Sequence, residues 1–400
     1  MTRQKFHEVP LGSLLEHPPQ NGYSPVCPDK PTGKWILSLA ALDGQGLNPK
    51  GIKPAPTENP LVDKFRLHLG DFLISRSNTA DKVGRVAVFR GEIEQCSYPD
   101  LMMRFRPDTN RVDADYLEHY LKSEVVINHI QRFATGTSGS MKKINQTTVE
   151  SIPVVLPSLR EQKAIAAIIS TWSDAIQNAE RLISAKKHRL QWLQDFLIDR
   201  SSDESRQIRL GEITFFPEKK PISKIDNETP LTVKLYCKGI CESERQVKIA
   251  GKGRAYYKRF SGELLIGRQN IHNGGFGIVP KELDGAIASS AISSLTATTE
   301  QVDIEYIFYF MSRPCYYTKL EKLMIGTGQK EMSETQLMKL VIAIPPLPTQ
   351  RLITNILKES QKEIFLLKKE LDLIRQQKRG LMQKLLTGKW HIPDKEESSE

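Results

Sequence analysis

LPSLREQ at residues 156–162 returns in altered form as IPPLPTQ at residues 344–350, and each copy stands at the start of a long helical pattern. An offset of 188 residues, from Gln162 to Gln350, aligns residues 144–197 with residues 332–385 without a gap. In both copies a β-branched run leads into the proline-bearing junction. Such a repeat indicates two copies of one strand, loop and helix unit, and therefore a pseudo-symmetric molecule.

The repeat extends upstream with the small changes of offset that surface insertions produce. GDFLISRSN at residues 70–78 corresponds to GELLIGRQN at residues 262–270, and VDADY at residues 112–116 corresponds to VDIEY at residues 302–306. The repeating unit is therefore half of the chain, a globular part followed by a helix. The halves share little outside these blocks, so similar scaffolds with dissimilar loops predict two different recognition tasks.

Both helical patterns carry apolar residues at alternating spacings of four and three, which is typical of a coiled-coil seam. The predicted seam residues are Ile165, Ile169, Trp172, Ile176, Ile183, Leu190, Leu193, Leu197, Ile353, Leu357, Ile364, Leu367, Leu371, Ile374, Leu381 and Leu385. Lys186 and Lys378 interrupt the seam at different places. Such lysines either fix the register of the helix pair or extend into water at a splayed end, and both interpretations stay open.

Residues 1–156 and 206–344 are predicted to be two mixed α/β (α+β) domains, residues 157–200 and 345–390 two long helices, and residues 391–400 an acidic tail. Strands are expected at residues 35–39, 72–75, 85–89, 101–105, 231–236, 264–267 and 291–295.

Further helices are expected near the end of each domain, at residues 116–130 and 306–323. Ser158 and Glu161 predict a capping box at the start of the first long helix. Gly380 makes a close backbone approach plausible in the second, because glycine costs a helix interior roughly 1 kcal/mol relative to alanine.

Bulk properties predict a cytoplasmic protein with two hydrophobic cores. Its 400 residues exceed what one core usually organises, and we find neither a secretory signal nor an apolar run long enough for a membrane helix. Five scattered cysteines favour plain thiols, although Cys237 and Cys241 have a spacing that could ligate a metal. The net charge of +10 is a modest indication of a polyanionic partner.

Signatures of catalysis are missing from the sequence. There is no phosphate-binding loop, no HExxH, no nucleophile elbow and no Asn/Asp-Pro-Pro-aromatic tetrapeptide of the kind that holds a target base in amino-methyltransferases. The G-x-G fragments at residues 44–46 and 251–253 are interpreted as turns. Any chemistry is therefore expected in another chain.

GDFLISRSN, LPSLREQ with its second copy, and QKRGLMQKLLTG at residues 377–388 together resemble type I restriction-modification specificity subunits over essentially the whole chain. The resemblance implies two DNA target-recognition domains separated by a pair of long antiparallel coiled-coil helices. Each domain would read one half of a bipartite, asymmetric site in double-stranded DNA. The helices would dock two methyltransferase subunits and, through them, restriction subunits. The chain would be non-catalytic and bind no cofactor, and S-adenosylmethionine, ATP and Mg would bind to the partners.

Candidate DNA contacts follow the buried strands, stand in loops just before the long helices, or lie in the glycine-rich loop 270–277 and the basic and aromatic stretch 245–259. Arg can pair with guanine and Asn or Gln with adenine, and Lys can bind phosphates. The alternative is that these blocks are structural turns exposed to water. The candidates are Arg76, Asn78, Lys82, Arg85, Lys142, Lys143, Arg254, Tyr257, Lys258, Arg268, Gln269, Asn270, His272, Gln329 and Lys330.

Two other functions remain open. One is a coiled-coil scaffold that never binds DNA, whose contacts would depend little on salt. The other is a fused DNA methyltransferase or nuclease, which would need the base-holding tetrapeptide or a metal-binding carboxylate cluster.

Overall fold

The structure is a computed structural model that describes residues 6–136, 141–218, 220–222, 228–244, 255–325 and 330–392. The chain divides into two compact units: residues 1–179 with 370–400 form the first, and residues 180–369 form the second. Each long helix thus contributes one part to each unit. Over the described ranges we find no helix with the length and apolar character needed to span a membrane.

The helices of the described residues include two that are far longer than the rest. They are α1 Pro60–Lys64, α2 Ala114–Leu121, α3 Glu124–Phe133, α4 Gln146–Glu150, α5 Leu159–Arg200, α6 Leu210–Ile213, α7 Ile304–Met311, α8 Pro314–Tyr317, α9 Glu334–Met338 and α10 Leu347–Leu386. Short 3-10 turns occur at Leu11–Leu14, Leu39–Ala41, Ser202–Glu204, Ile271–Asn273, Lys281–Leu283 and Thr318–Leu323.

The strands of the described residues are short. Those of the first half are β1 His7–Pro10, β2 Leu15–Asn21, β3 Trp35–Leu37, β4 Ile52–Pro54, β5 Phe72–Ser75, β6 Ser77–Asn78, β7 Val86–Val88, β8 Cys96–Ser97, β9 Met102–Pro107, β10 Lys142–Lys143 and β11 Pro153–Leu156. Those of the second half are β12 Arg206–Arg209, β13 Thr214–Phe215, β14 Leu231–Val233, β15 Ile240–Glu242, β16 Tyr256–Lys258, β17 Leu264–Gly267, β18 Phe276–Ile278, β19 Ile287–Ser289, β20 Ile292–Ala297 and β21 Val341–Ile344.

Four predicted elements are interrupted or end early. The strand expected at residues 35–39 ends at Leu37, and Leu39 begins a 3-10 turn. The helix expected at residues 116–130 is split into α2 and α3, because Ser123 has an extended backbone. The helix expected at residues 306–323 stops before Pro314, which begins α8 and has no N–H to continue α7. The strand expected at residues 231–236 ends early, since Tyr236 has a positive φ of 58°.

A four-stranded sheet of order β2-β9-β5-β7 lies between two hydrophobic clusters in the first unit. Side chains alternate along a strand, so Phe72 and Ile74 enter the cluster that contains α2 and α3, and Leu73 enters the other cluster. Strand β1 is separate from this sheet and pairs antiparallel with β11, which leads directly into α5.

The second unit repeats this arrangement. Its sheet has the order β13-β20-β17-β18, with Leu264 and Ile266 facing the cluster that contains α7, and Leu265 in the opposite cluster. Its strand β12 pairs antiparallel with β21, which leads into α10. The duplication predicted from the sequence therefore extends to the sheets and to the strand pair at the start of each long helix.

Parts of α5 and α10 pack against each other in both units. In the first unit Ile165 shares a core cluster with Leu385, and in the second Leu197 packs against the cluster that holds Ile353. The two helices run antiparallel in each case. All sixteen predicted seam residues are buried or half-buried.

The two lysines of the seam each bind a group on the opposite helix. Lys378 Nζ donates to Ser173 Oγ at 2.8 Å, whereas Lys186 Nζ lies 2.6 Å from Glu363 Oε1. Burial lowers the pKa of Lys378, and the positive charge of Lys122 lowers it further. One lysine is therefore a half-buried cation on a hydroxyl, and the other is a partly exposed ion pair.

Two local expectations for the helices need correction. Apart from its chain neighbours and the backbone of its own helix, no described heavy atom comes within 4 Å of the position that a Cβ would take on Gly380, so no close approach of another backbone segment is found there within the described residues. Ser158 Oγ accepts a hydrogen bond from Glu161 N at 3.2 Å. The Glu161 carboxylate, however, accepts from Ile392 N at 3.2 Å and lies 3.3 Å from His391 Nδ1. Half of the capping box thus forms, and the Glu161 side chain holds the residues that follow α10.

Candidate nucleic-acid interface

The strand pair of β6 and β10 brings candidate residues from distant parts of the sequence to one edge of the first unit. Lys142 lies opposite Asn78 in this antiparallel pair. Immediately after β10, Ile144 N donates to the carbonyl oxygen of Arg76 at 3.0 Å. The structure therefore gathers Arg76, Lys142 and Lys143 along a single edge.

The three cationic side chains of this edge, those of Arg76, Lys142 and Lys143, make few contacts with other described groups. Arg76 Nη1 donates to the carbonyl oxygen of Asp100 at 3.2 Å, and it has no carboxylate partner among the residues that the structure describes. Lys142 Nζ donates to the carbonyl oxygen of Gly136 at 2.6 Å, and Lys143 is exposed. Within the part of the chain that the structure describes, no carboxylate therefore neutralises these three side chains.

Asn78 has an internal role in the structure. It is only 7% exposed, its Oδ1 accepts from Thr79 N at 2.9 Å, and its Nδ2 donates to Ser75 Oγ at 3.3 Å. Its amide therefore supports the turn after β5 and is largely buried.

Two further candidates of the first unit lie between β6 and β7. Lys82 is exposed on the turn. Arg85 Nη1 donates to the carbonyl oxygen of Asp43 at 2.9 Å, so its guanidinium anchors a neighbouring loop. The Lys82 side chain is therefore exposed to solvent, whereas part of the Arg85 guanidinium already binds the neighbouring loop.

The second unit has the same backbone hydrogen bond at the corresponding edge, but the charged groups around it differ. Met332 N donates to the carbonyl oxygen of Arg268 at 3.2 Å, as Ile144 does to Arg76. The Arg268 side chain is 19% exposed, with Nε 2.6 Å from Glu331 Oε1 and Nη1 3.4 Å from Glu334 Oε1. Two carboxylates therefore neutralise the arginine of the second edge.

The remaining described candidates of the second unit do not form one cationic surface. Asn270 is exposed and Gln269 half-buried. The buried Nδ1 of His272 has no hydrogen-bond partner within the described part of the chain. Lys330 Nζ lies 2.9 Å from Glu321 Oε1.

Tyr257 and Lys258 belong to β16, where the guanidinium of Arg259 lies 5.5 Å from the centre of the Tyr257 ring. Lys258 is exposed, and Tyr257 is half-buried. Arg254 and Gln329 lie outside the described residues.

A basic cleft in the second unit was not predicted from the sequence. It has a volume of about 570 Å³, and we call it the lysine cleft. Its lysines are Lys187, Lys238, Lys358 and Lys368, and Leu190, Ile278, Phe308, Ile364 and Phe365 form its apolar floor. The recurrence of Lys358, Phe365 and Lys368 on one face of α10 is a helical spacing that could have indicated it.

The cysteines behave as separate thiols. All five are free, and burial raises the pKa of Cys237 to about 12. Across the described ranges we find no group of three or more His, Cys, Asp or Glu side chains that could hold a metal ion.

The sequence profile of the type I restriction modification DNA specificity domain matches residues 53–186 and 204–376. The two matches fall on the two repeats and together cover well over half of the chain. The chain belongs to this family. The expectation of a type I restriction-modification specificity subunit is thereby confirmed.

Similar proteins extend this result. A Methanocaldococcus jannaschii protein provisionally assigned as the type I restriction enzyme MjaX specificity subunit is 26% identical over 357 residues, which are 83% of this chain and 81% of that protein. The crystal structure of a type I restriction-modification S subunit from M. genitalium covers 98% of both chains, with a TM-score of 0.59 and 13% identity.

A structure that concerns complex assembly and conformational transition of the type I R-M system covers 98% of this chain and 100% of its own, with a TM-score of 0.58 and 14% identity. Together these likenesses confirm the mixed fold with two domains and two long helices.

Proposed function

We propose that this chain is the DNA sequence-recognition subunit of a type I restriction-modification complex and that it reads a bipartite, asymmetric site. The observation that carries the proposal is a duplicated edge with unlike charges. Arg76 and Arg268 occupy equivalent positions and accept equivalent backbone hydrogen bonds. Among the described residues, carboxylates neutralise Arg268 and not Arg76. Two domains with the same scaffold but differently charged edges would recognise different half-sites.

The first unit supplies a cationic edge for one half-site. Arg76 can place two N–H groups on guanine O6 and N7, which is a common specific contact in the major groove. Lys142 and Lys143 act as point charges for phosphates on either side and fix the register of the domain on the duplex.

The second unit supplies a more polar edge for the other half-site. Asn270 is exposed and carries the donor and acceptor pair that matches adenine. Because Arg268 is held by Glu331 and Glu334, it supports the shape of this edge and contributes little free charge.

Methyltransferase subunits dock on the outward faces of the long helices. Trp192 and Phe196 are 60% and 41% exposed on α5, and their rings stack with centroids 5.0 Å apart. Large apolar groups exposed side by side are typical of interaction surfaces. Two methyltransferase subunits bind in this way, and restriction subunits join through them.

In this proposal the chain acts in the cytoplasm and is not itself catalytic. S-adenosylmethionine, ATP and Mg bind to the partner subunits, which carry out methylation and cleavage. The family description as a DNA specificity domain supports this division of labour.

Genome-wide mapping of methylated adenines tests the proposal, in cells with and without this gene beside an active methyltransferase partner. A split motif that appears only when both genes are present is the expected result. A motif produced by this gene alone would indicate the fused enzyme. If no motif appears and DNA affinity does not depend on salt, the chain is a scaffold.

A further inference from the structure

Among the described residues that line the lysine cleft, lysines outnumber the carboxylates that could neutralise them. Lys358 Nζ lies 2.9 and 2.8 Å from the two carboxylate oxygens of Glu305, and Glu305 is the one acidic residue among the described residues that line the cleft. Lys187, Lys238 and Lys368 are exposed and have no carboxylate partner within the described residues. The cleft therefore presents three uncompensated ammonium groups.

A strained turn brings one of these lysines into the cleft. Tyr236 and Cys237 both have positive φ angles, of 58° and 53°, and their N–H groups each donate at 2.8 Å to the carbonyl oxygens of Asn273 and Gly274. Residues other than glycine rarely adopt this conformation, and it is often retained at binding sites. The neighbouring Cys237 thiol stays protonated at neutral pH, because burial raises its pKa to about 12.

Ammonium groups also cover aromatic rings in and beside the cleft. Lys369 Nζ lies 4.5 Å from the centre of the Phe365 ring, and Lys238 Nζ lies 5.7 Å from the centre of the Tyr236 ring. Because the ammonium groups lie over the rings, a molecule that approaches the cleft contacts positive charge before it contacts apolar surface. A polyanion fits this surface better than an apolar segment of a protein does.

The lysines are spaced along the cleft and not concentrated at one point. Lys358 and Lys368 stand ten residues apart on α10, which is about 15 Å along a helix. One DNA strand carries a phosphate per ~3.4 Å of duplex axis, so a cleft of this length, although Lys358 itself is paired with Glu305, extends over several phosphates. Lysine binds phosphate as a point charge without a fixed geometry.

We propose that the lysine cleft binds the phosphate backbone of duplex DNA beside the half-site read by the second unit. The inference rests on the proposed function, because it takes DNA as the ligand. It adds a contact that is independent of base sequence, and none of its lysines is among the candidate DNA contacts identified in the sequence.

Salt-dependent DNA binding tests the cleft directly. The full-length chain, with its methyltransferase partner where solubility requires it, is titrated with a short duplex at several salt concentrations. The triple variant Lys187→Gln, Lys238→Gln and Lys368→Gln should reduce the slope of log affinity against log salt by about 3, roughly 0.9 for each lost phosphate contact. The loss should be equal for duplexes with and without the target motif.

Two matched variants accompany this measurement. Replacing the same three lysines by arginine keeps their charge and should preserve most of the slope. Replacing Lys281, Lys319 and Lys339 by glutamine removes three exposed charges elsewhere in the same unit and should change the slope by less than about 1. Thermal unfolding of each variant confirms that the fold is kept.

The outcomes separate the cleft from the proposed function. An unchanged slope in the triple glutamine variant overturns the cleft proposal while the reading function stands, provided the original chain binds DNA. An equal fall in the control triple overturns it too, because net charge alone would then explain the effect. Loss of methyltransferase binding with DNA affinity unchanged would make the cleft a protein interface. If the original chain shows no salt-dependent DNA binding, the proposed function itself fails.

Discussion

Gln162 Oε1 accepts a hydrogen bond from the backbone N–H of Asp113 at 2.7 Å, which ties the start of α5 to the start of α2. The Gln162 Nε2 donates to the carbonyl oxygen of Pro157 at 2.8 Å. Gln350 repeats both contacts with Asp303 and Pro345, at 2.9 Å each. Both glutamines are 1% exposed. The Gln that marks the repeat in the sequence is thus a buried link between each domain and its long helix.

Replacing either buried glutamine by leucine should destabilise its own unit. The change leaves a backbone N–H and a carbonyl oxygen without partners, which costs roughly 2–4 kcal/mol in total. Thermal or urea unfolding of Gln162→Leu and Gln350→Leu measures this loss. Gln191→Leu, on the exposed face of α5, is the matched control and should change stability by less than about 0.5 kcal/mol. Equal midpoints for all three variants would contradict the link.

The two edge arginines should respond in opposite ways to the same substitution. Arg76→Gln should weaken binding to the target motif by about 1–3 kcal/mol, alter the base preferred at one position, and leave the unfolding midpoint nearly unchanged. Arg268→Gln should lower the unfolding midpoint, because Glu331 and Glu334 lose their cation, and should leave the affinity for the target motif nearly unchanged. Titration and thermal melts of both variants check this pair, and a reversed pattern would refute the assignment of roles.

His119 should make the first unit sensitive to acid. Burial lowers its pKa from 6.5 to about 4, Lys122 and Lys378 contribute in the same direction, and the carboxylates of Glu118 and Asp115 oppose it. The unfolded chain therefore binds the proton first as pH falls. The stability from neutral His119 is present above about pH 6.5 and is lost as the pH falls to about 4.

The size of this effect follows from the shift in pKa. It amounts to about 3 kcal/mol over that pH range. His119→Gln keeps a group that can bind Ser170 Oγ, which lies 3.0 Å from His119 Nε2, and should flatten this part of the stability curve. If the stability curve of His119→Gln matches that of the original chain, His119 is not the source of the acid sensitivity.

The seam lysines should differ in their effect on stability. Lys378→Leu removes a half-buried cation that has a hydroxyl partner and a lowered pKa, so we expect a gain of about 1 kcal/mol. Lys186→Leu removes a partly exposed ion pair, and the change should stay within about 1 kcal/mol of zero. Unfolding midpoints compare the two, and a large loss in Lys378→Leu would show that its hydrogen bond outweighs the cost of burial.

A domain exchange tests the independence of the two half-sites. Replacing residues 206–344 by the corresponding domain of another family member should change one half of the methylated motif and preserve the other. The reason is that each unit has its own sheet and its own core. Adenine methylation mapping reads both halves at once, and a change in both halves would contradict the prediction.

Part of the fold could be read from short spacings. The seam residues and the starts of α5 and α10 depend on residues close together in the chain, and β5 and β17 were predicted with the bounds that the structure has. The helix predicted at residues 306–323 missed the effect of Pro314. The predicted approach at Gly380 failed because that position faces open space, which no local pattern reports.

The sequence by itself determined the duplication, the family and the two long helices, because these follow from repeated spacing and local hydrophobic pattern. Only the tertiary structure decided which charges are free. Arg76 and Arg268 stand in the same motif, but Glu331 and Glu334 follow Arg268 by 63 and 66 residues and reach it only through folding. The lysine cleft likewise draws its lysines from α5, the loop after β14 and α10. Electrostatic interactions depend on distance in space, and that distance is fixed when the chain packs.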